Sequence, residues 1–334
     1  MINTLTDLSK IDLNQLETFV HHHPHGNFFQ SIKAFRFFQA INVYEPILIV
    51  AVEGEEIVGS LLSVVMKEGG GLKGYFSRRC IVWGGPLVKN ERSEVYSELL
   101  DKFHEVGGKK AIYSQFRNFF DLADVRMQFD NLGWQFEEHL NIMIDLSKTE
   151  EILWKEVHSK RRNEIRRAEK EGTSVRVLEN KDEFETTYDI LTEVYDRAKL
   201  PLPGMQFFRT AYEILGPDHF KIFLAVNEEK IIGTMYVLCF KNIMYDWYAG
   251  SYQEYYKKYP NDLIPWKAFL WGKENGFKTF DFGGAGKPDV PYGVRDYKKK
   301  FGGEFVNYGR FEKIHKPILF QFGKLGLKVW QKLK

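Results

Sequence analysis

Three adjacent lysines, Lys298, Lys299 and Lys300, stand between two aromatics in GVRDYKKKFGGEF (293–305). The run begins just after FDFGGAG (280–286), which reads as the end of a buried strand. Lysine runs are ordinarily solvated. A lysine delivered to the end of an apolar strand can instead offer its charge to a phosphate or to the oxyanion of a tetrahedral intermediate. Spacing alone leaves Lys299 and Lys300 open between lining a path for phosphates and plain solvation. Asp281 and Asp296 flank the motif and are candidate proton acceptors by proximity.

Other charged and aromatic residues could serve the same chemistry. A basic helix is expected over 152–171, ILWKEVHSKRRNEIRRAEKE, with an inward stripe of Trp154, Val157, the Arg161 stem, Ile165 and Ala168. Its Lys160, Arg162, Arg166 and Arg167 read either as a polyanion site or as a solvated face. Arg197 closes a helix before a proline-punctuated loop, YDRAKLPLPG (195–204). It suits the helix C-terminus, or a carboxylate or phosphate in a cleft. In DWYAGSYQEYY (246–256), strand alternation puts Trp247 and Tyr248 on opposite faces, one in the core and one toward a cleft. HHHPHG (21–26) reads as a loop rather than a metal site, because no acid or cysteine lies beside it. The sequence has no G-x-S-x-G, no P-loop and no G-x-G-x-x-G.

These residues need a scaffold, and the chain repeats one. IVAVEGEEIVGS (49–60) matches FLAVNEEKIIGT (223–234) at a constant offset of 174, with Ala51, Val52, Glu55, Ile57 and Gly59 recurring as Ala225, Val226, Glu229, Ile231 and Gly233. Each copy predicts a β-hairpin, with a glycine that permits a bulge or close approach. Each hairpin precedes an aromatic-rich strand, at 74–85 and 242–251, then a helix, roughly 92–106 and 262–275. Each helix ends at a glycine suited to a left-handed cap, before strands in 107–116 and 275–284. A duplicated α/β unit follows, with a cleft expected between two pseudo-symmetric domains. The boundary is expected near 147–152, where Ser147 or Thr149 can cap the next helix.

Composition narrows the class. The 334 residues are 44% hydrophobic and 28% charged, with a net charge of +2, so the chain is globular and any basic site is local. The two cysteines, Cys80 and Cys239, lie in apolar runs and read as buried small hydrophobes of a reducing compartment. MINTLTDLSKIDLNQ has no apolar export core, and no run approaches ~18 uninterrupted apolar residues. A cytoplasmic protein, neither exported by that route nor membrane-spanning, is expected.

GNFFQS near the start, WGGPLV (83–88), SKRRNEIRRAEKEG, YAGS, and FDFGGAG followed by GVRDYKKKFGGEF together resemble the Fem family of aminoacyl-tRNA-dependent peptidyltransferases (FemABX). The resemblance spans nearly the whole chain, and the last two motifs are the most specific. It implies tandem GNAT-like domains, each a mixed, mostly antiparallel sheet flanked by helices. The expected division is 1–147 and 148–314, with a helix 315–334 returning to the first domain. The armless, short form of the family is implied, since no insertion could form a coiled-coil arm. The family's F-K-x-x-F-G pattern falls on Tyr297-Lys298-Lys299-Lys300-Phe301-Gly302, so Lys298 inherits the catalytic role, Tyr297 replaces phenylalanine and Phe301 anchors the strand in the core. The family's substrate lysine after FFQS is matched only approximately, by Lys33 and Arg36. Its cleft tyrosine beyond Arg197 meets Pro201 here.

The resemblance implies transfer of an amino acid from aminoacyl-tRNA, with no further cofactor, to the stem peptide of a UDP-muramyl or lipid-linked peptidoglycan precursor. Lys298 would act there with Tyr297. Arg197, Tyr248, Trp247, Arg36, Lys33, Arg162, Arg166 and Lys300 would bind substrates in a monomer. A second reading is an acyltransferase that moves an acyl group from acyl-CoA to an envelope sugar amine. The chain lacks the R/Q-x-x-G-x-G/A pattern whose N–H groups hold the CoA pyrophosphate. A third is a non-catalytic envelope-precursor binding module. HKPILFQFGKLGLKVWQKLK (315–334) carries a stripe of Ile318, Phe322, Leu325, Val329 and Leu333, with five lysines and no acid. It is expected to dock that stripe on the first domain, with its lysines free to meet the inner face of the membrane.

Overall fold

The computed structural model describes residues 1–68 and 71–323. The strands, in chain order, are β1 (Ile2–Leu5), β2 (Tyr44–Glu53), β3 (Glu56–Met66), β4 (Arg79–Trp83), β5 (Leu87–Val88), β6 (Tyr113–Arg117), β7 (Gln135–Glu137), β8 (Asn141–Asp145), β9 (Ser174–Val177), β10 (Phe220–Asn227), β11 (Lys230–Phe240), β12 (Ile243–Ser251), β13 (Thr279–Gly284), β14 (Glu304–Val306) and β15 (Arg310–Ile314). The helices are α1 (Leu13–His22), α2 (Ile32–Gln39), α3 (Gly71–Phe76), α4 (Ser93–Val106), α5 (Arg126–Asn131), α6 (Glu150–Glu156), α7 (Ser159–Lys170), α8 (Phe184–Arg197), α9 (Met205–His219), α10 (Pro260–Glu274) and α11 (Gly293–Lys299).

Two units result. The first comprises Met1–His139 and Asn307–Lys334, the second Leu140–Val306. The first sheet runs β1-β2-β3-β4-β6-β15-β7, with β5 beside β3. The second runs β14-β8-β13-β12-β11-β10-β9. Within each, a single neighbouring pair is parallel, β4/β6 and β12/β13.

The repeat folds as two matching hairpins, β2–β3 and β10–β11. Each carries a bulge at the same repeat position: Ala51 pairs with Gly59 but Val52 with Ile57, and Ala225 with Gly233 but Val226 with Ile231. The glycines let a helix press close. A Cβ on Gly59 would stand 2.8 Å from Val95 of α4, and one on Gly233 would stand 3.0 Å from Pro260 and Ile264 of α10. Burial pushes the Cys80 and Cys239 thiols up to about 12, so both sit as inert core residues.

Several expectations change. The chain changes sheets at 139/140 and 306/307, not at 147 and 314. β8 pairs with β13, Ile144 opposite Phe280, and takes Ile142, Ile144 and Leu146 into the second core. β15 instead pairs with β6, Phe311 opposite Phe116. The helix expected over 152–171 breaks after Glu156: Val157 leaves the helix with ψ 129, and His158 accepts the Lys160 N–H as the cap of α7. Residues 71–76, read partly as strand, form α3. Gly107 has φ −97 and is no left-handed cap; a Cβ there would meet the Phe103 ring at 2.8 Å. Gly276, at φ +82, does close α10 in that way.

At the C-terminal end, residues 317–323 are helical. Phe320 turns inward, its ring 5.2 Å from Tyr113. Ile318 and Phe322, expected to dock on the first unit, are 74% and 60% exposed. Positions 318 and 322 lie on the opposite side of the helix from 320, so burying Phe320 turns them outward. Leu325, Val329 and Leu333 lie outside the described residues.

Candidate active site

β12 and β13 pair over only three positions, Ile243–Tyr245 against Thr279–Asp281. Beyond them the strands part. On one side β12 takes an extra residue against β11, since Tyr236 pairs with Tyr248 but Val237 with Asp246. On the other, β13 turns through Gly283 at φ +72, a conformation that favours glycine. The corresponding parallel pair of the first unit, β4 and β6, stays in register over all five positions, Arg79–Trp83 against Tyr113–Arg117. Only in the second of these two pairs does the sheet open into a wedge.

Lys298 fills it. Its Nζ donates to the Phe282 carbonyl oxygen and lies 3.4 Å from Asp246 Oδ2, both side chains nearly buried. An ammonium has three donors, so this pairing leaves one N–H for a ligand. α11 delivers the lysine from its last turn, where a cation also suits the helix C-terminus.

Tyr297 and Phe301 fix α11. The Tyr297 hydroxyl donates to the Asn261 carbonyl, and Phe301 packs against Phe269 and Phe282. The Arg161 guanidinium lies 4.8 Å above the Tyr297 ring and 4.9 Å above the Phe301 ring, and it pairs with Asp262. Successive helix positions diverge by about 100°, so anchoring Tyr297 on that side turns Lys298 to the wedge. Tyr297 thus positions α11, its hydroxyl held by a backbone carbonyl away from the Lys298 ammonium.

Two carboxylates share the wedge. Burial raises the Asp246 carboxyl, opposed by the Lys298 charge and hydrogen bond. Burial pushes Asp281 up to about 6, opposed by the Gly283 N–H at 2.7 Å, by Lys298 and by Asn141 at 3.4 Å. Asp281 therefore titrates near neutrality inside a charged cluster, where a proton acceptor is useful. Asp296 sits on the exposed side of α11. The raised Asp281 fixes a sign. The folded state holds this proton more tightly than the unfolded chain, so the stabilisation is complete below about pH 4 and is lost as pH rises through about 6. Asp281→Asn, which keeps an acceptor for Gly283, is expected to gain stability relative to the parent across that interval, by on the order of 3 kcal/mol. Denaturant titrations at pH 4 and pH 7 check this; a difference that does not grow with pH contradicts it.

The other expected residues fall elsewhere. Trp247 and Tyr248 do not occupy opposite faces. The bulge at Trp247 turns both into one aromatic cluster: their rings are 5.2 Å apart, and Phe208 touches both at 6.0 and 4.8 Å. Arg197 pairs with Glu193 at 2.9 Å and donates to the Tyr256 hydroxyl. Glu193 also accepts the Gln253 N–H at 2.9 Å, so Arg197 belongs to a built network at one end of α8. Arg162 donates to the carbonyls of Trp154 and Lys155, at 3.2 and 3.0 Å, and closes α6. Arg166 lies over Trp154 at 5.2 Å. Lys299 is exposed with its ammonium 5.9 Å from the Phe305 ring, and Lys300 is half-buried at the end of α11. Lys33 and Arg36 stand on α2 of the first unit. In HHHPHG, His23 bonds the Val88 carbonyl at 3.0 Å and His25 stacks on Phe120 at 4.2 Å, so both hold the loop.

Residues 159–299 match the family described as Acetyltransferase (GNAT) domain. No curated protein matches the sequence. Among solved structures, the chain is similar to the crystal structure of FemX, over 96% of this chain and 99% of that one, at 16% identity and a TM-score of 0.74. It is similar to L-PGS from Bacillus licheniformis over 94% and 96%, at 16% identity and TM-score 0.60. It also resembles a tandem GNAT protein from the clavulanic acid biosynthesis pathway over 94% and 99%, at 10% identity and TM-score 0.60. At such identities the likeness is one of fold. The chain therefore has the tandem GNAT fold seen in these structures, and its second unit carries the matched acetyltransferase (GNAT) domain.

Proposed function

We propose that the protein transfers an amino acid from aminoacyl-tRNA to an amine of a peptidoglycan-precursor stem peptide, with Lys298 as the residue that stabilises the transition state. The observation that carries this reading is the Lys298 ammonium in the wedge between β12 and β13, with one donor to spare. The fold shared with FemX over nearly the whole chain supports it.

The chemistry is aminolysis of an ester. The acceptor amine attacks the acyl carbon, a C–N bond forms, and the carbonyl electrons move to oxygen. Lys298 donates to that oxyanion. The C–O bond to the tRNA ribose then breaks, the ribose hydroxyl takes up a proton, and the amine loses one. Asp281 is the group suited to hold that proton in transit. Asp246 keeps Lys298 charged and aimed. No side-chain nucleophile is required, because the ester is already activated.

The acyl-CoA reading competes. In it, N–H groups at the start of the helix after the splayed strand would hold a pyrophosphate. That helix is α10, and its first position is Pro260, which has no N–H. The 3-10 turn Gln253–Lys258 lies between β12 and α10, and the Gln253 N–H at its start is already taken by the Glu193 carboxylate. A pyrophosphate would thus lack a donor at the first position of α10 and would meet a resident carboxylate at the start of the preceding turn, which favours the tRNA-linked donor.

Thermal unfolding with UDP-muramyl-pentapeptide and, separately, with acetyl-CoA tests the choice. A ligand at a hundredfold its Kd adds about 2.7 kcal/mol, a rise of several degrees. The muramyl peptide is expected to give it and acetyl-CoA is not. The reverse pattern favours the acyl-CoA reading.

A further inference from the structure

We infer that α3 and the helical turn at 317–323 together form a surface that docks on an anionic lipid bilayer. The inference is independent of the role of Lys298. Four large apolar side chains stand exposed here: Tyr75 and Phe76 on α3, at 43% and 38%, and Ile318 and Phe322, at 74% and 60%. The two elements touch, since a Cβ on Gly323 would stand 3.3 Å from the Phe76 carbonyl oxygen. Phe320 packs its ring on Tyr113 and so holds the turn with Ile318 and Phe322 facing away from the core. Nothing among the described residues covers them.

Charge selects the occupant. The Arg78 guanidinium lies 4.6 Å from the Tyr75 ring centroid, beside a hollow that Lys67 and Lys110 also border. Glu45 borders the same hollow but is neutralised by Lys110. From His315 onward the sequence has five lysines and no acid, and its apolar residues recur at helical spacing. Exposed aromatics and aliphatics beside Lys67 and Arg78, next to a lysine-rich sequence without acids, match a lipid headgroup boundary, where rings and alkyl groups enter the acyl layer and cations meet phosphates. No helix among the described residues is long and apolar enough to cross a membrane.

The test is flotation of the full chain with vesicles. Vesicles of phosphatidylcholine containing a third phosphatidylglycerol are compared with pure phosphatidylcholine, at low and high salt. The parent is expected to float with the anionic vesicles at low salt and to stay behind otherwise. Each neutralised lysine in Lys324→Gln, Lys328→Gln and Lys332→Gln is expected to lower the partition coefficient about fivefold. The double variant Ile318→Asp/Phe322→Asp is expected to lower it at least tenfold with the unfolding temperature unchanged, since both side chains are exposed. A parent that never floats, or vesicle binding indifferent to the Ile318/Phe322 pair, overturns the inference. So does binding of a short RNA through the same lysines without vesicle binding, which identifies a nucleic-acid surface.

Discussion

Lys298→Met is expected to lower acyl transfer by at least ~10²-fold with the fold retained, the usual cost of removing one oxyanion donor. Methionine keeps the length and apolar stem of lysine and removes the ammonium. Two groups then lose a partner, the Phe282 carbonyl and the Asp246 carboxylate. Asp246 is largely buried, so without its cation it takes up a proton rather than staying charged. The variant therefore loses stability as well as activity, by about 1–3 kcal/mol for the orphaned groups. A second variant separates the two effects. Lys298→Met/Asp246→Asn removes the unpaired acid and is expected to recover stability without recovering activity. Asp246→Asn alone, with Lys298 present, is expected to keep partial activity, because it disturbs the lysine's position and not its charge. Transfer rates and denaturant midpoints for the three variants check this. Full activity in either Lys298 variant contradicts the assignment.

The largest stability effect is expected at Arg161. The residue is 6% exposed, and its guanidinium pairs with Asp262, itself 7% exposed, and faces the rings of Tyr297 and Phe301. Arg161→Met leaves the Asp262 carboxylate buried without its cation, and breaking such a pair costs about 3–5 kcal/mol. The N-terminal turn of α10, in which Asp262 stands, offsets only part of this. Arg161→Met/Asp262→Leu removes both charges and is expected to be the milder change. Since Tyr297 and Phe301 rest against Arg161, the single variant is also expected to loosen α11 and reduce transfer. Urea unfolding of the single and double variants checks the order; a single variant as stable as the parent contradicts the buried-pair account.

How far the fold could be read from the chain is clearest in the hairpins. The offset of 174 carried not only the strands but the bulge at Val58 and Ile232, because the glycine beside it recurs. The lysine motif was equally legible: a lysine between an anchoring aromatic and a buried phenylalanine, next to a glycine-rich strand end. What escaped was decided by distant partners. Whether β8 and β15 join one sheet or the other depends on pairing with β13 and β6, far along the chain, and no local pattern encodes that choice. Trp247 and Tyr248 alternate in sequence, and a one-residue bulge undid the alternation. Asp246 was overlooked although it left a signal: an acid between Tyr245 and Trp247, inside an apolar strand, is costly unless a cation meets it. Of the C-terminal stripe only Ile318 and Phe322 lie among the described residues, and both are exposed rather than docked, since periodicity finds a face and not which side of it touches the protein.

The central claim is that the Lys298 wedge aminoacylates a stem-peptide amine. The direct measurement is the mass of the acceptor after incubation of the parent protein with UDP-muramyl-pentapeptide and a charged total tRNA pool. The account predicts a gain of one aminoacyl residue that requires charged tRNA and disappears with Lys298→Met. An acceptor left unchanged by charged tRNA but acetylated from acetyl-CoA, or equal gains for Lys298→Met and the parent, would contradict it.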